Sequence, residues 1–314
     1  MADYLEKIGN FNANYIESIF AIEGYHDLYN VGKVNLSNPK YSSVVTKRKG
    51  DAHVKDGKRT FEFVFIPNDG FLNSNLPLLN NCEIKLSFDR INAEVSMLEG
   101  ALTVKDSCVG KPLEIRDCVA FTEYVTSDAL VKHFSKIDYN PIPYYYQDCE
   151  VTLKSVPSDE TDIRLDNIRG GKIPECMFAA LIPSKSLNGD ILTSSTGFMV
   201  NNVREVNITL NGNSVNGYPI ENKSLTETYP FYKFLDVTSR YMNPVCGEGV
   251  RLSQFKYNFL YAHRFEAEIS SQGWLGMNFK LTAPFKEPHT LVIWTINECG
   301  FTIDKFHQIE KIDT

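Results

Sequence analysis

The residues that could do chemistry are scattered. The six histidines, His26, His53, His133, His263, His289 and His307, include no HExxH and no His–Cys cluster at metal-ligand spacing. His263 and His289 both sit near predicted strands, and a β-sandwich can bring distant histidines together in a cupin-type metal site. Ordinary packing or surface roles are the competing reading. Gly170-Gly171-Lys172 has the flavour of a phosphate loop, but it lacks the spaced glycine and the Ser or Thr after lysine, so it reads as a turn. Asp159, Glu160, Asp162 and Asp166 could meet a cation, yet their spacing is not that of an EF-hand, and a solvated acidic loop accounts for them. There is no GxSxG, and no cysteine has a histidine close by in sequence. These patterns assign no catalytic residue, no metal and no cofactor.

The seven cysteines are odd in number, widely spread and without a CxxC pair, which argues against a zinc ribbon or a disulfide framework. Free thiols in a reducing compartment are expected, several of them acting as small core hydrophobes. The sequons at Asn35, Asn207 and Asn222 are then chance matches. MADYLEKIGN has neither a basic nor an apolar leader region, and no apolar run reaches the length of a spanning helix, so a membrane is not an expected partner. The net charge of −7 lacks the global footprint of a dedicated nucleic-acid binder. One concentrated basic stretch remains, Lys47-Arg48-Lys49 followed by Lys55, Lys58 and Arg59. It could touch nucleic acid or serve as a nuclear address; a solvated loop face is the bland alternative.

The elements that would position these residues are mostly strands. With 20 Phe and 16 Tyr, the composition favours half-buried pleated surfaces. One helix is expected over 14–23, stopped by Gly24, and 25–59 reads as a long polar loop. Strands are expected at 61–65, 82–91, 118–125, 144–153 and 176–182, the last buried on both faces. A short helix over 127–137 has Ser127 as its N-cap. Val206, Ile208 and Leu210 alternate into Asn211-Gly212, the favoured type I′ hairpin turn, with Val215 returning. A second amphipathic helix follows at 229–241, then strands at 259–269, 277–281 and 290–297, and a short one at 301–303. Trp274 and Trp294 read as core or interface aromatics. Many short strands, few helices and no regular alternation between them point to an all-β sandwich or jelly roll.

Several stretches, taken in order, resemble the double jelly-roll major capsid protein of Polinton/Maverick elements and adintovirus-like DNA viruses. Tyr15-Ile16-Glu17 opens a helix similar to one in that family's first jelly roll, and Leu78 to Leu86 resembles the strand that closes it. Ser127 to Ile137 looks like the short helix of the second jelly roll. Glu205 to Gly212 looks like its strand and hairpin, and Tyr229-Pro230-Phe231 opens a similar helix. Gly276–Leu281, Thr290–Asn297 and Ile303-Asp304-Lys305 resemble its terminal strands. The resemblance spans Asn14 to Glu310 and implies a partial first jelly roll at 1–98 and a complete second one at 112–314. The family's opening strands would precede the Tyr15 helix, so the first unit is expected to be half a sandwich with exposed sheet edges. As function, the resemblance implies a structural subunit, not an enzyme. Homotrimers would mimic hexagonal tiles and join other capsid proteins in an icosahedral virion around double-stranded DNA, assembled inside the host cell with the nucleus as one location. Tyr144, Tyr145 and Tyr146 are candidate interface anchors, with core or surface roles as the alternative. A lectin-like jelly-roll binding module, and behind it a cupin-type metalloenzyme, are the competing functions.

Overall fold

The computed structural model describes residues 53–55, 58–60, 77–78, 83–87, 118–119, 127–138, 140–188, 202–216, 219–221, 228–237, 260–265 and 272–312. The expected helix at 14–23 and strand at 61–65 lie outside them. The first described element is a hairpin of β1 (His53–Lys55) and β2 (Lys58–Thr60), with Lys55 opposite Lys58. It corrects the reading of 25–59 as uninterrupted loop. The Asp56-Gly57 dipeptide between the strands is a two-residue hairpin signal that the polar composition around it obscured. Glu83–Ser87 corrects a second expectation: these residues are not in a strand and pair with none of the described strands, and Ile84 and Leu86 are exposed. Alternation alone does not make a strand when no described neighbour offers a ladder. Cys118 and Val119, the described start of the strand expected at 118–125, are likewise exposed and pair with no described strand.

From Ser127 onward the expected elements appear in order, with one strand from His289 to Ile303 in place of the two expected at 290–297 and 301–303. A strand at Asp162–Lys172, a short helix at Ser184–Asn188 and a strand at Ile309–Ile312 were not expected. Helix α1 (Asp128–Phe134) starts where the Ser127 hydroxyl accepts the Leu130 N–H, with Asp128 in its first turn and Lys132 and His133 in its last, matching the helix dipole. A 3-10 turn (Ser135–Asp138) leads into β3 (Ile142–Val156). Then come β4 (Asp162–Lys172), β5 (Cys176–Pro183), the short helix α2 (Ser184–Asn188), β6 (Val203–Leu210), β7 (Asn213–Ser214) and β8 (Ile220–Glu221). Helix α3 (Thr228–Val237), β9 (Leu260–Arg264), β10 (Gln272–Leu281), β11 (His289–Ile303) and β12 (Ile309–Ile312) complete the chain.

Leaving aside two-residue β7 and terminal β12, the strands from β3 to β11 form two antiparallel sheets, β3-β11-β5-β9 and β4-β10-β6-β8. Counted from β3, the orders are first–eighth–third–sixth and second–seventh–fourth–fifth. That connectivity is a jelly roll. The inner faces meet in one core, where Met177, Leu181, Tyr261, Leu291 and Ile293 oppose Val206, Ile208, Met277 and Phe279. The other face of the β5–β11 sheet is also covered. Phe231, Phe234 and Val237 of α3 press on Phe178 and Trp294, whose rings stack at 5.1 Å. Hence β5 is apolar on both sides, as its unbroken run predicts. The outer face of the β4–β10–β6 sheet is polar, with Lys280 and Glu205 paired across it at 2.8 Å.

Two local features depart from the sequence reading. Gly170-Gly171-Lys172 is the end of β4, not a turn, because Gly170 and Gly171 pair with Trp274 and Gly273. Strand β4 itself, missed in the sequence, carries extra residues around Asn167 (φ 59), a bulge that hides its alternation. Strands β3 and β11 pair along their full length, from Val156–His289 to Ile142–Ile303. Only the first half of this ribbon lies in the sandwich. The distal half runs on with β12 along its other side and makes a small separate cluster of Ile142, Tyr144 and Ile303, with Leu78, Phe134 and Phe301 against it. Pro143 is tolerated because β3 is an edge strand among the described residues, where a missing N–H leaves no gap in the ladder.

Candidate functional site

The residues that could have been catalytic are placed apart. His263 is opposite Met177 and His289 is opposite Pro183 on the same strand, β5. Six residues of strand separate those positions, about 20 Å. The two histidines therefore cannot share one ion, and the cupin pairing fails on geometry. Each has a packing role. His263 is buried with its ring edge-on to Phe265 at 4.8 Å, and burial, helped by the Lys233 charge, pushes its pKa down to about 4. His289 stacks on Phe285 at 3.9 Å and its Nδ1 donates to the Glu287 carbonyl at 2.8 Å. Burial again lowers its pKa. Both imidazoles are thereby favoured in the neutral form at pH 7.

The acidic run is exposed, and Asp162 sits 3.6 Å from Arg164. The Cys176 thiol is buried and raised to about 11 by desolvation, so it behaves as a small hydrophobe and not as a nucleophile. Two arginines do structural work at the edge of the sandwich. Arg169 on β4 reaches across to the opposite sheet, meeting Glu150 at 2.8 Å and the Thr295 hydroxyl. Arg264 on β9 pairs with Glu175 at 2.9 Å and donates to the Val237 carbonyl at 2.7 Å, tying the C-terminus of α3 to the sheet. These contacts clamp sheets and helix together; none has the geometry of an acid–base pair.

What the fold does present is surface. The tyrosine run alternates with the strand: Tyr144 is 1% exposed and stacked on Phe301 at 5.2 Å, Tyr145 is 53% exposed on the opposite face, and Tyr146 is half-buried near Phe301. Further along the Tyr145 face of β3, Val151 and Leu153 are exposed beside buried Trp294 and Val292. Beyond β11, Phe306 and Ile309 stand out from the hairpin into β12. Trp274 is partly exposed against the Asn211-Gly212 turn. The sequence reading missed Val151, Leu153, Phe306 and Ile309, because a strand pattern says which residues alternate, not which face is covered. Lys47, Arg48 and Lys49 lie outside the described residues. No helix among the described residues is long and apolar enough to cross a membrane.

No family model matches the chain, and no curated protein does. Solved structures do. The PBCV-1 virus capsid is similar at a TM-score of 0.37 and 8% identity, over 59% of this chain and 54% of that one. The Sputnik virophage structure is similar at 0.33 and 10% identity, over 55% and 38%. The mavirus major capsid protein is similar at 0.31 and 7% identity, over 55% and 41%. The chain thus spans about half, or less, of the length of the solved chains it matches. The PBCV-1 and mavirus structures are a virus capsid and a major capsid protein.

Proposed function

We propose that the chain is a structural subunit of a virus-like capsid, associating as a trimer with a pseudo-hexagonal outline in an icosahedral DNA-containing shell. The observation that carries this reading is the complete first–eighth–third–sixth, second–seventh–fourth–fifth jelly roll at 142–303, in a chain whose preceding residues resemble another jelly roll. The stretches that resemble the capsid family's second unit supply α1, β6 with its hairpin, α3, β10 and β11, in that family's order. A jelly roll alone leaves function open. Assembly is favoured over ligand binding by the exposed apolar residues along β3 and at the β11–β12 tip, the kind of side chain that a partner chain covers.

On this reading Tyr145 is the member of the tyrosine run that serves as an interface anchor, while Tyr144 holds the fold. Lys47-Arg48-Lys49 contacts packaged double-stranded DNA or acts as a nuclear address, and the protein works without catalysis or a cofactor, in the virion. The test is the solution mass of the purified chain by light scattering, with electron microscopy of the same peak. A trimer of hexagonal outline is expected. A monomer at every concentration would sink the assembly role and leave a binding module as the surviving reading.

A further inference from the structure

Asn211-Gly212 is a tight turn and also a chemically labile pair. Asparagine is a thermolabile residue, most of all before glycine, whose nitrogen has no side chain beside it to hinder a close approach. The Gly212 nitrogen gives up its proton to solvent and attacks Asn211 Cγ. The new N–Cγ bond closes a five-membered succinimide while the Cγ–Nδ2 bond breaks, and the nitrogen leaves as ammonia. Water then opens the ring to an aspartyl or an isoaspartyl residue at position 211. Water is the only co-reactant. Burial does not prevent this reaction, because Asn211 and Gly212 are both exposed.

Conformation does oppose it. The pairing of Leu210 with Asn213 fixes a two-residue turn, in which Asn211 takes a φ of 52° and Gly212 a φ of 82°. The succinimide closes only when the Asn211 Cβ and the Gly212 nitrogen are nearly eclipsed about the Cα–C bond. In the left-handed conformation, where ψ is roughly +47°, the two are nearly anti, so Cγ and the attacking nitrogen are held apart. The side chain is fixed as well. Asn211 Oδ1 accepts the Trp274 N–H at 2.9 Å, and the Asn211 N–H donates to the Trp274 carbonyl at 2.9 Å. This amide lies so close over β10 that a Cβ on Gly273 would stand 2.8 Å from Oδ1 and 3.0 Å from Nδ2. Gly273 leaves room for the lock.

We propose that Asn211 is a conformation-gated deamidation site. The β6–β7 turn and its bond to Trp274 keep the residue as asparagine, and conversion proceeds only when the turn opens. A converted chain is then a covalent record of that opening. The inference is independent of the assembly reading. Asn188-Gly189 and Asn216-Gly217 are the same dipeptide and serve as references within the chain.

The experiment incubates the full chain in mildly alkaline buffer, native and in guanidinium chloride, and follows conversion at each of the three asparagines by peptide mass spectrometry. In guanidinium chloride the three are expected to convert at similar rates. In the native chain Asn211 should convert at least roughly tenfold more slowly than in guanidinium chloride. Gly273→Ala displaces the Asn211 amide from the Trp274 N–H, so it should speed native conversion at Asn211 while Asn188 and Asn216 keep their native rates. Equal rates for Asn211 in the native and unfolded chain overturn the proposal. A Gly273→Ala chain that melts like wild type and converts Asn211 no faster overturns the Trp274 lock. The wild-type comparison decides the gating whether or not that variant folds.

Discussion

Tyr144 and Tyr145 are consecutive, yet the pleat sends them to opposite fates. Tyr144 closes the small distal cluster with Ile142 and Ile303 and stacks on Phe301; Tyr145 faces outward. Tyr144→Ala should therefore cost about 3 kcal/mol or more of stability, while Tyr145→Ala stays within about 0.5 kcal/mol. Urea denaturation of the two variants beside wild type checks this, and equal losses would contradict the placement. His263 gives a pH prediction. Its folded pKa, about 4, lies below the unfolded value of 6.5. The unfolded chain therefore binds more protons in between, so stability is complete above pH 6.5 and falls as pH drops towards 4. Between pH 7 and 5 the loss is about 2 kcal/mol from this residue. His289 shifts the same way and adds to it. The urea midpoint of wild type should fall over this range, and His263→Gln should flatten the slope. An unchanged slope would mean that His263 is not the group responsible.

At the scale of elements, Gly276 lets β4, β10 and β6 pack as one sheet. A Cβ there would stand 2.6 Å from Thr209 Oγ1 and 3.2 Å from the Leu165 carbonyl oxygen. Gly276→Ala should destabilise by about 1–3 kcal/mol, and Thr209→Ala in the same chain should restore part of the loss by removing the nearer clash. A fully additive double variant, read from urea unfolding, would show that the two sites do not press on each other. The elements legible in the sequence are those whose pattern has one simple cause. The Ser127 cap, the doubly buried β5 and the Asn211-Gly212 turn, with φ of 52° and 82°, are of this kind. Strand β4 was hidden by its bulge at Asn167, and β12 by being exposed along most of its length, so that neither shows a clean period of two. The surface at Phe306 had a readable signal, Asp304 two residues ahead as an Asx-turn former, but sequence does not report that the ring above such a turn stays exposed, with only the Lys305 ammonium over it among the described residues. Val151 and Leu153 alternate like core residues, yet both stay exposed on the face where α3 covers Phe178 and Trp294.

For the whole molecule, every described strand of the two-sheet core lies between Ile142 and Ile303, and α3 covers the outer face of the β5–β11 sheet from within the same span. The core between the sheets draws on no described residue before Val156. Leu78 touches only the distal cluster. A fragment from Ser127 to Thr314 should thus fold alone, with one cooperative unfolding transition. Its distal end should be looser, because Ile142, Tyr144 and Ile303 lose Leu78 while keeping Phe134 and Phe301. Hydrogen exchange resolves the two halves. Amides of β5, β6 and β10 should keep the protection they have in the full chain, and those of 142–146 and 300–303 should exchange faster in the fragment. Protection lost evenly across β5, β6 and β10 would mean that the N-terminal residues complete the core itself. The jelly roll would then be half of one cooperative body, and not a unit that a capsid-like subunit could carry as its second tile.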